Sequence, residues 1–223
     1  MGERLPLFPL STPLLPGLLL PLHIFEDRYR RLITDLLRKG PGNSAQFGIV
    51  AIRRGSEVGA GRTEALHEVG CAAQLQQVEH LDDGCFDIVV RGAGRFRLID
   101  VDDDAPEPYL VGRVAWLPDA PAAPPELTGR ARRALTGYLQ ALQQAGVEDA
   151  AARGDLDDDV PLSYAVAAAM VLDSADLQQL LEASGEETRL LAECRLLARE
   201  TALLQVSASV PAARFSGGLA SFN

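Results

Sequence analysis

Two hydrophobic periods divide the chain. In the first half, apolar residues fall in short alternating runs, as strands require; in the second they recur at helical spacing. Leu5–Phe8 predicts a short strand, with Pro6 tolerable at an edge or start. Pro16-Gly17 marks a turn, and Leu18–Leu20 a second strand. From Phe25 to Arg38, the positions Phe25, Tyr29, Leu32, Ile33, Leu36 and Leu37 predict a helix. Arg38, Lys39, Gly40 and Pro41 are its stop signal. Phe47–Ile52 reads as a strand, and Val69–His80 and Cys85–Arg91 flank the hairpin signal Asp82-Asp83-Gly84. Gly92-Ala93-Gly94 reads as a tight turn or bulge before the alternating segments Arg95–Val101 and Tyr109–Trp116.

Beyond the proline-rich stretch Pro118–Pro125, Leu127, Ala131, Leu135, Tyr138 and Leu142 mark an amphipathic helix. Asp159 and Pro161 read as the start of a helix continuing to Leu172, and a short helix follows over Ala175–Glu182. Ser184 with Glu187 fits a capping box opening a long helix to Ser207. Its apolar stripe, which includes Leu190, Cys194, Leu197 and Leu204, is expected to face the core. The pattern predicts an α+β fold class. Residues 1–117 form a curled β-barrel or sheet domain with one helix, 118–125 a linker, 126–209 a C-terminal α-helical bundle, and 210–223 a flexible tail.

Charge changes the picture by exclusion. The net charge is −10, and Lys39 is the only lysine among 21 basic residues. A Walker A loop needs a lysine after its glycine turn, and Lys39 precedes Gly40-Pro41 instead. At a helix end, Lys39 suits a partner of the helix dipole better than a catalyst. The acidic balance also argues against a nucleic-acid backbone binder. Cys71, Cys85 and Cys194 have no C-x-x-C spacing and are expected as reduced, packed thiols. Five prolines between Leu5 and Phe25 leave no continuous membrane helix there, and Met1–Arg4 lacks the basic start of a secretion signal. A cytoplasmic location is expected.

Candidate chemistry is sparse. His67 and Cys71 have ligand-like spacing, but no four-ligand zinc set can be assembled around them, so no metal and no cofactor is expected. Gly92-Ala93-Gly94 lacks the helix that a dinucleotide fingerprint opens, and no G-x-S-x-G elbow is present, so no catalytic residues are expected. Glu26 is expected to pair with Arg30, four residues on. Phe8 and Phe25 are expected as core anchors. Arg95 and Arg97 share a strand face opposite Phe96 and Leu98; with Arg91 they form the best polar recognition patch, or else pair with Asp87 and Asp100. The leucine- and proline-rich N-terminal segment is hard to bury and suits a groove for extended peptide.

One resemblance is specific. Leu5-Pro6-Leu7-Phe8-Pro9-Leu10, Pro16-Gly17 and Leu20-Pro21-Leu22-His23-Ile24-Phe25-Glu26-Asp27-Arg28-Tyr29 resemble the opening of the Lon protease N-terminal substrate-binding domain. Val69-Gly70, Asp83-Gly84, Val90-Arg91-Gly92, Arg95-Phe96-Arg97-Leu98, Pro108-Tyr109-Leu110 and Gln179–Glu182 with Arg189-Leu190 also fit. The resemblance implies a PUA-like β-domain followed by a helical bundle. It implies recognition of unfolded or extended polypeptide in partnership with a protease or chaperone. The ATPase and Ser-Lys peptidase modules of full-length relatives have no counterpart motif here. Glu26, Arg28 and Tyr29 match the opening pattern; with Arg91, Arg95 and Arg97 they are the expected substrate-binding set. The competing readings are an RNA- or nucleotide-binding PUA-like protein, which predicts a contiguous arginine face, and a small-molecule enzyme or sensor.

Overall fold

The computed structural model describes residues 2–40, 46–53, 66–118 and 121–209. Six strands and five α-helices follow in order: β1 (Glu3–Leu10), β2 (Leu19–Ile24), α1 (Asp27–Arg38), β3 (Gln46–Ala51), β4 (Val69–His80), β5 (Phe86–Val101), β6 (Val111–Trp116), α2 (Pro125–Gln144), α3 (Leu162–Ala169), α4 (Ser174–Glu182) and α5 (Glu186–Ser209). This is the α+β architecture the periodicity predicts. Pro41 of the expected helix stop, part of the 118–125 linker and the 210–223 tail lie outside the described residues.

The sheet order is β2-β5-β4-β3-β1-β6, with β5 also pairing with β6. That extra pairing closes β1, β3, β4, β5 and β6 into a ring, which leaves those strands without a free edge along their paired lengths. Only β1 and β3 run parallel, because β2 and α1 carry the chain across between them. β2 pairs antiparallel with the first part of β5, from Ile24 opposite Phe86 to Leu19 opposite Arg91. The second part of β4 lies on the other side of the same segment, His80 opposite Phe86. Thus β2, β5 and β4 extend the barrel as a three-stranded flap.

Of the turn or bulge expected at Gly92-Ala93-Gly94, the structure shows the bulge: β5 runs unbroken through the segment, with a register shift where Cys71 and Ala73 of β4 face Arg95 and Gly92. The glycine serves a close approach. Gly17 donates to the Gly92 carbonyl at 2.8 Å and Gly92 donates to the Leu18 carbonyl at 2.8 Å. A Cβ at position 92 would stand 2.1 Å from the Leu15 carbonyl oxygen, so only glycine admits this crossing.

Four expectations change. α1 starts at Asp27, so Phe25 precedes it and is 53% exposed instead of anchoring the core. Glu26 pairs with Arg28 at 2.9 Å, while Arg30 pairs with Asp27. α3 ends at Ala169, short of Leu172. α5 opens at Glu186 with Arg189 N–H bonded to the Gly185 carbonyl, and the Ser184 hydroxyl faces the Thr188 hydroxyl instead of capping.

One core crosses from barrel to helices. It joins Phe8, Tyr29, Phe47, Ile88 and Val90 of the first half to Val160, Tyr164, Ala165, Leu180 and Leu181 of the second. Phe8 stacks on Tyr29 with ring centroids 4.0 Å apart. Gln178 of α4 bridges the seam, donating to the Val69 carbonyl at 3.1 Å. Within the helical half, Arg189 of α5 ties α4 and α3 together, donating to the Leu180 carbonyl at 2.8 Å and Ser163 Oγ at 2.9 Å. The Arg189 guanidinium also lies over the Tyr164 ring, 4.0 Å from its centroid.

Candidate polypeptide-binding surface

The six expected residues do not converge. Glu26 and Arg28 form an ion pair at the entrance to α1, and the Arg28 guanidinium lies 4.5 Å over the Tyr29 ring. Tyr29 is itself buried against Phe8. These three hold the corner between β2 and α1. Arg91 donates to the Gly17 carbonyl at 2.9 Å and stands 3.8 Å from Asp157. Arg97 pairs with Glu68 at 3.0 Å on the surface.

Arg95 is the clear departure. Strand alternation places it with Arg97 on the outer face of the barrel, while Phe96 fills the interior with Leu5, Leu7 and Val114. The outer face at Arg95 is covered by the end of α4. Arg95 is 4% exposed and donates to the carbonyls of Leu181 at 2.8 Å and Ala183 at 2.6 Å. It is a strut between barrel and helices, not part of an exposed patch. The expected acidic partners are also occupied elsewhere: Asp87 pairs with His23, and Asp100 with Arg113.

A coherent exposed surface does form on the outer face of the flap. Alternate residues of β2, Leu19, Pro21 and His23, point outward, and Phe25 continues the line. Leu19 is 55% exposed. The His23 and Phe25 rings stack 6.1 Å apart. Across the sheet, Pro21 lies opposite Val89, which lies opposite Gln77. His23 lies opposite Asp87, which lies opposite Glu79. These two rows line a groove of about 600 Å³. The other face of the flap puts Ile24, Phe86, Ile88 and Val90 into the core. The signal for this surface was present in the spacing Leu19-x-Pro21-x-His23-x-Phe25, which is a strand face and not a helix start.

Two further clefts lie along the helical half. One, of about 450 Å³, has an apolar floor of Leu156, Val160 and Leu162 under Arg132, Asp157 and Glu186. A smaller one, about 220 Å³, lies between Leu18 and Ala165, Ala168 and Ala169. Among the described residues, no group of three or more His, Cys, Asp or Glu side chains is placed to hold a metal ion. Burial pushes the Cys71 thiol up to about 12, far from a reactive thiolate. Among the described residues no helix is long and apolar enough to cross a membrane.

Comparison with known proteins agrees with the fold. Residues 4–199 match the family model of the ATP-dependent protease La (LON) substrate-binding domain. Lon protease 2 of Sorangium cellulosum is 26% identical over 94% of this chain, and Lon protease 2 of Syntrophobacter fumaroxidans is 26% identical over 82%. The chain covers 26% and 22% of those two proteins, so it spans about a quarter of the curated relatives it matches. The N-terminal domain of Mycobacterium avium complex Lon protease superposes with a TM-score of 0.64 at 23% identity, covering 90% of this chain and 98% of that one. A Lon N-terminal domain protein from Xanthomonas campestris gives a TM-score of 0.57 at 26% identity, over 88% of this chain and 98% of that one. The family model describes the substrate-binding domain of those proteases. The chain therefore belongs to the LON substrate-binding domain family.

Proposed function

We propose that this chain is a non-catalytic module that holds extended or unfolded polypeptide on the outer face of its β2–β5–β4 flap. It serves as an adaptor or regulator of proteolysis, working with a protease or chaperone in the cytoplasm. The observation that carries this reading is the exposed apolar line Leu19, Pro21 and Phe25 beside an open groove. Exposed apolar side chains on a sheet face are available to a client chain at no cost to the core. Of the expected arginines, Arg91 and Arg97 are the two left at the surface to orient a client. Lys39 is the C-cap of α1, its backbone N–H bonded to the Leu36 carbonyl, which supports a structural role for the only lysine. Arg95 is buried under α4 while Arg91 and Arg97 are held by separate partners, so the contiguous arginine face of an RNA binder has no support from them.

Fluorescence anisotropy with a reduced, permanently unfolded model protein tests the reading. Covering a half-exposed Leu or Phe side chain contributes about 1 kcal/mol. Leu19→Ser with Phe25→Ser is therefore expected to weaken binding by about tenfold to thirtyfold, with an unchanged thermal midpoint. Unaltered affinity in the double variant, or no binding by the wild type, would remove the surface from consideration.

A further inference from the structure

We infer that the flap groove selects extended segments that carry a lysine or arginine two residues from an apolar residue, so that both side chains lie on the same face of the client strand. This inference rests on the reading of the flap as a polypeptide site and names the class of client it takes.

The observation is a row of charge across three strands. His23, Asp87 and Glu79 are register partners on β2, β5 and β4, all on the outer face. Two carboxylates thus face one another directly across the β4–β5 ladder, an arrangement that disfavours the free sheet. His23 Nδ1 lies 2.7 Å from Asp87 Oδ1 and engages that carboxylate. Glu79 is exposed, and its carboxylate makes no ion pair or hydrogen bond with the described residues. Among the described residues no arginine pairs with the row: Arg91, at the far end of the flap, is held by the Gly17 carbonyl and Asp157. A cation placed between Glu79 and Asp87 relieves their repulsion and is attracted by both. The hairpin residues Asp82 and Asp83, also exposed, add negative charge at the same end.

Spacing completes the recognition. The neighbouring outward row, Pro21, Val89 and Gln77, lies two residues further along each strand. Two residues of strand span about 6.7 Å, and same-face residues of an extended client have that same repeat. A client lying along the flap can therefore set a basic side chain on the Glu79–Asp87 pair and an apolar one on Pro21 and Val89. It lies on the face instead of extending the sheet. β2 is an end strand of the sheet, and Pro21 in its middle has no N–H to give a continuous ladder. The net charge of −10 favours the same clients at long range and makes the effect weaken with salt.

Three labelled peptides of about ten residues, with serine at every second position and, on the intervening same-face positions, leucine or valine in turn with lysine, glutamine or glutamate, test this by anisotropy. The wild type is expected to bind in the order lysine, glutamine, glutamate, with about tenfold between the extremes at low salt. In the Glu79→Gln, Asp87→Asn double variant, the lysine-to-glutamate ratio falls to within about twofold. The thermal midpoint of that variant is expected to equal or exceed the wild type's, since a repulsion is removed. Equal wild-type affinity for all three peptides, lowered for all by the Leu19→Ser, Phe25→Ser change, overturns the selection and leaves the polypeptide reading standing. A lysine preference that survives in the double variant overturns the assignment to Glu79 and Asp87. Binding of none of the three overturns both.

Discussion

Arg95→Ala is expected to destabilise the protein by about 3–5 kcal/mol. The side chain is 4% exposed and gives charge-assisted hydrogen bonds to the Leu181 and Ala183 carbonyls, at the C-terminal end of α4. Such bonds contribute about 1.5–3 kcal/mol each. The positive charge also meets the negative end of the α4 dipole. Truncation leaves two carbonyls without their donor beneath a helix and opens a void in the seam. Arg97→Ala, two residues along the same strand face, removes only a surface pair with Glu68 and is expected to cost less than about 0.5 kcal/mol. Urea unfolding of the two variants checks both figures. An Arg95→Ala protein within about 1 kcal/mol of the wild type would remove the strut role.

Glu193→Gln is expected to stabilise the protein by about 2 kcal/mol near pH 8 and by almost nothing near pH 4. Glu193 is fully buried on α5, and neither carboxylate oxygen has a hydrogen-bond partner among the described residues. Burial holds its carboxyl well above the usual range; Arg189 one turn earlier pulls it down, and Glu186 pushes it up. A raised folded value means that the folded state binds the proton more tightly than the unfolded chain does. The penalty is thus absent below the unfolded value of about 4.3 and grows by up to about 1.4 kcal/mol per pH unit above it, until the folded value is passed. Glutamine removes the penalty because it carries no charge to desolvate. Arg189 does not depend on Glu193 for its place, being held by the Leu180 carbonyl, Ser163 Oγ and the Tyr164 ring. The stability difference between the two proteins, followed by urea unfolding from pH 4 to pH 8, isolates this group from the surface carboxylates that titrate in both. A difference that does not change with pH would contradict the account.

The barrel and helices were legible because both leave local signatures. Alternation marks the second part of β5 and β6, and the Asp82-Asp83-Gly84 turn signal, found with Gly84 at φ 81°, marks β4 and the first part of β5 on its two sides. The ring closure was not legible, since the pairing of β5 with β6 joins segments by geometry alone. Arg95 shows the limit of face arithmetic. Parity assigned it correctly to the outer face, but whether that face is wet depends on α4, some 80 residues later in the chain. Phe25 failed for a related reason. It fits both the helical series of α1 and the alternate positions of β2, and only the start of α1 at Asp27 decides between them. Similarly, the Glu79–Asp87–His23 row needs the registers of three strands, which no spacing in one segment reveals.

The central claim is that polypeptide lies on the outer face of the flap. Amide chemical-shift mapping of the full chain, titrated with a reduced unfolded protein, tests it most directly. The predicted result is a set of shifts concentrated at Leu19–Phe25, Gln77–Glu79 and Asp87–Val89, with the seam around Arg95 and the helix contacts around Arg189 unmoved. Shifts confined to the cleft at Leu156–Ala165 would contradict it, as would a titration that leaves the flap unchanged.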